Sequence, residues 1–571
     1  MKKLHQIIKE VEPSNFIQIT MPDGKTLQAP KGTTLEQFVR FHSKKKFKYL
    51  AALVNGKLRE LTNKPRCSEI INPLDLTTSE GVRIYRRTLS FVLVTAAQEV
   101  FPEAEIHIEY TVPYGGFFCT VRGCEQFSNS ELKKLEKRMR EIVKEDNSIR
   151  RVPVPLEKAR IIFTKRGEKD KVSLVDKRGK DDFMMYHLRN RKDAFYGYML
   201  PSTGYLKLFK LIKAKNGFVL QYPRRATPDK LLPKYSSRHL DNVFQEYGNW
   251  LNLLDVENVG KINSLIEKGK ARGIILVSEA LQERKIADIA GKVAEKSDKV
   301  KLIFIAGPSS SGKTTFSKRL AIQLLAHGLK PFTLEMDRYF VERKDTPLDE
   351  NGEYNFEVIE ALDRKLLSSN LKSLISGKKV TLPKFNFITG TREKGPTVKL
   401  SKSHIIIAEG IHGLNPELVP SISSDKIYRI YISALTQLNI DRHNRISTTD
   451  TRLVRRLVRD SAHRGADAER TLSMWEKVRR GEKKNIFPYQ ENADVMFNSA
   501  LTYELAALKQ VAFPLLLQVK INSPNNVTAK RMLAFLNLFD DIPLEIIPDN
   551  SLLREFVGGS ILRDYLPGKI D

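Results

Sequence analysis

One octapeptide, Gly307-Pro308-Ser309-Ser310-Ser311-Gly312-Lys313-Thr314, constrains this 571-residue chain more than any other stretch. It fits the pattern G-x-x-x-x-G-K-[ST], which has its meaning where a strand enters it and a helix leaves it. Both flanks are present. Lys301-Leu302-Ile303-Phe304-Ile305-Ala306 reads as a buried strand. From Thr314 to Ala326, the residues Phe316, Leu320, Leu324 and Leu325 share one helical face, and Gly328 is a helix stop. Glycines let the backbone curl until its N–H groups converge on phosphate oxygens, and the helix N-terminus adds positive potential. In such a loop Lys313 reaches the β- and γ-phosphates, and the Thr314 hydroxyl holds Mg²⁺. The loop implies a bound nucleoside triphosphate. It does not say what receives the phosphate.

The chain is too long for one core, and roughly three to four domains are expected. Hydrophobic residues make up 41% and charged residues 29%, a globular composition. No apolar run reaches the length of a membrane span, and the charged start Met1-Lys2-Lys3 lacks a signal-peptide stretch. Cys67, Cys119 and Cys124 have no metal-ligand spacing, which points to a reducing, cytoplasmic setting. The net charge of +29 favours anionic partners, but the lysines are scattered, so charge alone does not establish RNA binding.

The expected fold is multidomain, α/β and α+β. Residues 1–75 read as a β-grasp module. Phe16-Ile17-Gln18-Ile19-Thr20 precedes a turn signal, a helix starts at Thr34, and Leu53 to Leu58 form a second hairpin. Residues 76–225 form an α+β domain with a helix from Glu131 to Asp146 behind a Ser128/Glu131 capping box. A helical connector covers 226–298. The phosphate-loop domain covers 299–505, with strands at 301–306, 332–336, 404–408 and 427–432 alternating with helices, the order of a parallel sheet with helices on both faces. Residues 506–571 are expected as a helical appendage.

Phosphoryl transfer needs more than the loop: a base or orienter for the acceptor, a second acid near the metal, and cations over the moving phosphoryl group. Each has a candidate at the C-terminal end of a predicted strand or just beyond. Asp337 follows strand 332–336 and can accept a hydroxyl proton. Glu409 ends the apolar run Ile405-Ile406-Ile407-Ala408 in the manner of a Walker B acid that binds Mg²⁺. Arg452, Arg455, Arg456 and Arg459 recur around one predicted helix with Arg464 after them, as a mobile lid over phosphates would require.

These residues, in this order, resemble the uridine kinase and phosphoribulokinase family over residues 300 to 500. Gly312-Lys313-Thr314-Thr315 fits its loop, so Gly307 through Thr315 are the expected ATP-binding residues. Asp337-Arg338-Tyr339-Phe340 resembles D-x-[FY]-[FY], whose aspartate is the catalytic base. Glu409-Gly410-Ile411 matches E-G-I, and Arg455-Arg456…Arg459-Asp460…Arg464-Gly465 matches the family's arginine lid. The resemblance implies ATP and Mg²⁺ as cofactors, Lys313, Asp337, Arg456, Arg459 and Arg464 in catalysis, and Thr314 and Glu409 at the metal. Glu357, Phe385, Arg392 and Arg456 fall at acceptor-contacting positions. The departures concern the nucleoside. Phe385 and Gly390 stand where uridine kinases have a base-reading tyrosine and histidine, Glu357 replaces an aspartate, and Ala466 and Met474 replace an arginine and a glutamine. A nucleoside kinase is expected, its base preference open.

The front half has its own resemblance. Residues 16–75 look like the TGS domain of threonyl-tRNA synthetases, and 79–215 are similar to the editing domain that follows it there. Ser79-Glu80-Gly81 and Pro201-Ser202-Thr203-Gly204 are the anchors. The family's four zinc and editing positions are occupied by Arg87, Phe91, Phe195 and Met199, so neither editing nor zinc is expected. Two alternatives to the nucleoside kinase remain: a phosphoribulokinase-like sugar kinase, or an ATPase that contacts RNA or ribosomes through the basic front half.

Overall fold

A computed structural model of the chain describes residues 15–176, 182–350, 352–386 and 389–565. Phe387 of the acceptor motif and the charged start lie outside them. The chain forms two compact units. The first runs to Tyr235 and also takes in Asp441–Arg445 and Ile521–Val527; the second comprises Ser236–Ile440, Ile446–Lys520 and Thr528–Asp571.

The first unit opens with a mixed five-stranded sheet. Phe16–Thr20 pairs antiparallel with Thr26–Pro30 and parallel with Glu69–Leu74, which continues the sheet through Ala51–Val54 to Lys57–Arg59. Alternate residues Ile17 and Ile19 are buried, as the period of two requires. Helix Leu35–Ser43 starts at Thr34, whose hydroxyl and the Gln37 side chain complete a capping box. Next, helices Ser79–Val100 and Asn129–Lys144 pack with a four-stranded antiparallel sheet made of Glu105–Val112, Gly116–Arg122, Gly217–Gln221 and Lys210–Ala214. The Ser128/Glu131 capping box forms, and Leu132, Leu135, Met139 and Ile142 are buried behind it.

The second unit is built on five parallel strands, named here β1 (Leu302–Ala306), β2 (Lys330–Glu335), β3 (His404–Glu409), β4 (Ile427–Ser433) and β5 (Val495–Asn498). Their order is β2-β3-β1-β4-β5. The four-residue β5 was not foreseen; its period is too short to stand out. One face of the sheet packs Leu302, Phe304, Ile406 and Ala408 on Leu367, Leu371 and Leu374 of helix Arg364–Ile375. The phosphate-loop helix α1 (Lys313–Ala326) packs along β1, β2 and β3. With β1 at the centre, the strand order reverses beside it, which is where open α/β sheets bind ligands. Most of the residues after 505, expected as an appendage, are part of this unit, while Ile521–Val527 belong to the first. Leu552, Leu553 and Phe556 are fully buried in it, which removes their apolar surface from water.

Candidate active site

The loop between β1 and α1 has the backbone its sequence demands. Gly307 lies so close to β4 that a Cβ would stand 1.9 Å from the Ile432 carbonyl oxygen, and Gly312 has φ +85°. Only glycine meets both conditions at low cost. Lys313 folds back, its Nζ donating to the carbonyls of Gly307 at 3.0 Å and Pro308 at 3.2 Å. The buried hydroxyls of Ser310 and Ser311 have no hydrogen-bond partner among the described residues, so the loop has polar groups to offer a phosphate.

Thr314, on the first turn of α1, donates its hydroxyl to Glu409 at the end of β3, 3.1 Å away. A hydroxyl and a carboxylate at that separation are a hard oxygen pair suited to Mg²⁺. Burial pushes the Glu409 carboxyl up to about 7, with Lys313 opposing the shift. A cation beside it would restore the charged form. Asp337 lies one residue past β2, in the turn Met336–Tyr339. Asp337 is exposed, yet loss of water to the surrounding protein raises its pKa, while Lys313 and Arg464 lower it and Glu335 raises it further. Burial also raises Glu357 to about 7; Glu482 adds to the shift and Arg456 opposes it. Lys313, Thr314, Asp337, Glu357 and Glu409 therefore share one electrostatic site.

The arginines come from α2 (Thr448–Arg464) and divide into two sets. Arg452 and Arg455 are fully buried and structural. Arg455 pairs with Glu504 and donates to the Ser499 carbonyl at 2.7 Å. Arg452 pairs with Glu482 on α3 (Ala468–Asn485), and both hold the phosphate loop: the Ser309 N–H donates to Glu482 at 3.0 Å, and Arg452 donates to the Ser309 carbonyl at 3.1 Å. The reading of one mobile arginine face is corrected here: α2 is anchored along its length because its inner arginines have buried acids to meet. The outer set is Arg456, Arg459 and Arg464, all ion-paired to the buried Asp460 at 3.1, 2.8 and 3.7 Å. Arg456 also donates to the Ser309 hydroxyl at 2.9 Å. Asp460 is thus the hub that aims three guanidinium groups, a role its i±4 spacing from Arg456 and Arg464 could have signalled. Nothing local signalled Glu482.

On the acceptor side, Phe385 is buried, its ring 5.7 Å from that of Phe340. Arg392, near the turn of the hairpin formed by Val380–Asn386 with Thr391–Val398, donates at 2.8 Å to Asp363, the N-cap of helix Arg364–Ile375. Both residues carry packing or pairing of their own.

The editing-like positions in the first unit contain other chemistry. Arg87 is half-buried and donates to the Tyr198 carbonyl at 2.6 Å, and loss of water around it lowers its pKa to about 10. The rings of Phe91 and Phe195 lie 5.2 Å apart, and Met199 is buried. His443, from the inserted hairpin, lies over Phe195 at 6.3 Å and meets Lys171 at 2.7 Å. Burial, with Lys171 beside it, lowers that imidazole to about 4. Asp193, Arg191 and Glu168 complete a buried ionic cluster. Among the described residues no group of three or more His, Cys, Asp or Glu side chains is arranged to hold a metal. Among the described residues no helix is long and apolar enough to cross a membrane.

Comparison with known proteins divides the chain in the same way. Residues 302–506 match the model of the phosphoribulokinase / uridine kinase family. A uridine kinase of Staphylococcus aureus (strain JH9) is 31% identical over 196 residues, 34% of this chain and 86% of that protein. Threonine–tRNA ligase 2 of Bacillus subtilis (strain 168) is 28% identical over 208 residues, 36% of this chain. Only 32% of that ligase's length is spanned. A solved structure of a possible uridine kinase from Bacillus stearothermophilus is 22% identical, with 38% of this chain and 98% of that one covered at a TM-score of 0.24. By its matched family model and its near-full coverage of a uridine kinase, the chain belongs to the phosphoribulokinase / uridine kinase family, with residues 302–506 as its ATP-dependent kinase domain.

Proposed function

We propose that the protein is a nucleoside kinase that moves the γ-phosphate of ATP to a ribose 5′-hydroxyl. The observation that carries this reading is the interaction of Lys313 with Asp337, Glu357 and Glu409, the last held by Thr314. Asp337 orients the acceptor hydroxyl and takes its proton; a carboxylate of raised pKa is better matched to that task than an ordinary one. Lys313 swings from its loop carbonyls to the β- and γ-phosphates. Mg²⁺ held through Thr314 and Glu409 would supply charge neutralisation there. Arg459 and Arg464, aimed by Asp460, face the transferring group, and Arg456 ties the loop to α2. Together they exclude water and disfavour hydrolysis.

Glu357 is the leading acceptor contact. Held near its own pKa, it can accept from a ribose hydroxyl as carboxylate or donate as acid. Arg392 and Phe385 come next. A phosphoribulokinase-like sugar acceptor uses the same donor half, and a substrate panel separates the two: purified protein, ATP and Mg²⁺, with ADP release read for each nucleoside and sugar. The reading is abandoned if no nucleoside raises ADP release above the acceptor-free rate.

One observation supports an added RNA contact by the front half. Lys44, Lys45, Lys46 and Lys48 are exposed in one run beside Phe41, which is 74% exposed. Charge with an open aromatic ring suits single-stranded nucleic acid. Replacing the four lysines with glutamine should abolish any salt-sensitive retention of RNA and leave ATP turnover unchanged.

A further inference from the structure

The C-terminal part of the second unit lies on the phosphate loop itself. The Thr315 N–H, one of the donors at the start of α1, donates to a Glu555 carboxylate oxygen at 3.1 Å. Leu552 covers Gly312 so closely that a Cβ on that glycine would stand 2.5 Å from its Cδ2. Phe556 lies 5.1 Å from the Arg455 guanidinium of α2. The segment is tethered on both sides: Ser551 and Tyr503 both donate to Glu279, and Lys318 of α1 donates to the Leu562 and Arg563 carbonyls at 2.6 and 2.8 Å.

A carboxylate at this place has the chemistry of a phosphate. The N–H groups opening a phosphate-loop helix cradle the α- and β-phosphates of the nucleotide, and the helix dipole favours any anion there. Glu555 satisfies a donor that ATP needs, and its charge acts on the same two groups the nucleotide would engage, Lys313 and Glu409. Two anions cannot hold one N–H in good geometry.

We propose that Ser551–Phe556 is a built-in competitor for the nucleotide, with Glu555 standing in for a phosphate of ATP on the Thr315 N–H. ATP binds as the segment leaves. The apparent affinity for ATP is then lower than that of the open loop by the fraction of chains in which the segment is displaced. Release also withdraws Phe556 from Arg455, while the Glu504 and Ser499 contacts of that arginine keep the helix that carries Arg456, Arg459 and Arg464 in place. This inference rests on the kinase reading of the loop, but the two fail differently.

The test uses the full chain. MgATP affinity is measured by calorimetry for the parent, Glu555→Gln and Glu555→Ala, with melting temperature as the check on folding. Binding about tenfold tighter in Glu555→Ala, with Glu555→Gln between it and the parent, is expected. Glutamine keeps the shape and an acceptor but loses the charge, so it covers the case in which alanine unsettles the fold. Hydrogen exchange across 549–558 should accelerate when MgATP is added. Equal or weaker binding in both variants overturns the proposal, as does exchange that is unchanged or slowed by MgATP. If ATP binds as predicted but no acceptor is phosphorylated by any variant, the kinase reading fails and the competitor stands. If no variant binds ATP, both fail.

Discussion

The kinase domain and the ligase-like region match their relatives at similar identity, 31% and 28%, yet their sites have opposite contents. In the kinase domain the residues proposed for phosphoryl transfer are all present and interact with one another: Lys313 with Glu409 and Asp337, Thr314 with Glu409, and Arg459 and Arg464 with Asp460. At the editing positions the ligating side chains are replaced by Arg87, Phe91, Phe195 and Met199, and the space is filled by rings and by an ionic cluster that includes His443. Similar overall identity therefore goes with polar, interacting groups at the proposed site in one region and with packed rings and an ion cluster in the other. The lesson is physical: a scaffold tolerates loss of its site where packing takes over, whereas a phosphate loop with no ligand chemistry would keep buried hydroxyls such as those of Ser310 and Ser311 unsatisfied for nothing.

That contrast can be broken in several ways. The largest effect should come from Asp337→Asn, which keeps shape and removes the base; kcat should fall about 10²- to 10⁴-fold with ATP affinity held within a few-fold, read by steady-state kinetics and calorimetry. Arg464→Ala and Arg459→Ala should each lower kcat by about 10²-fold, and Asp460→Asn should lower it too by letting all three arginines wander. A rise in KM with kcat unchanged would place these arginines in ground-state binding instead. Glu482→Ala leaves Arg452 buried without its partner, so the chain should lose about 3–5 kcal/mol of stability in denaturant melts. A pH effect follows from Glu409, whose carboxyl is raised to about 7. Below that pH the folded protein holds a proton that Mg²⁺ must displace. Apparent Mg²⁺ affinity should therefore fall by up to tenfold per pH unit below 7 and level off above it, measured as the Mg²⁺ dependence of ADP release. The smallest expected effect lies in the other region: zinc added to chelator-treated protein should leave the melting temperature unchanged, and a stabilisation at one zinc per chain would erase the contrast.

Much of the cleft was legible because its parts are written locally. The strand–loop–helix around Gly307 to Thr314, Asp337 one residue past a strand and Glu409 at the end of another each need only a short window. The β-grasp was legible for the same reason, through the Thr34 cap and the Asn55-Gly56 turn, whose two residues have positive φ. What was not legible comes from far along the chain. Glu482 and Glu555 reach Ser309 and Thr315 from 173 and 240 residues away. The split of α2 into buried and outward arginines depends on acids on other helices, not on the spacing of the arginines themselves. Residues 441–445 read as part of the kinase domain, yet they complete the first unit's core, and no periodicity in five residues announces that. Phe385 and Arg392 were chosen by alignment of a motif, and the structure gives each a contact of its own.

The central claim is that the donor machinery serves a nucleoside acceptor through Asp337. Its most direct test is ADP release by the parent chain and by Asp337→Asn over a nucleoside panel, with product identified by mass. The account predicts at least one nucleoside 5′-monophosphate formed by the parent and loss of that product in the variant with ATP still bound. ADP release that is indifferent to every nucleoside, or product formation that survives Asp337→Asn at the parental rate, would contradict it.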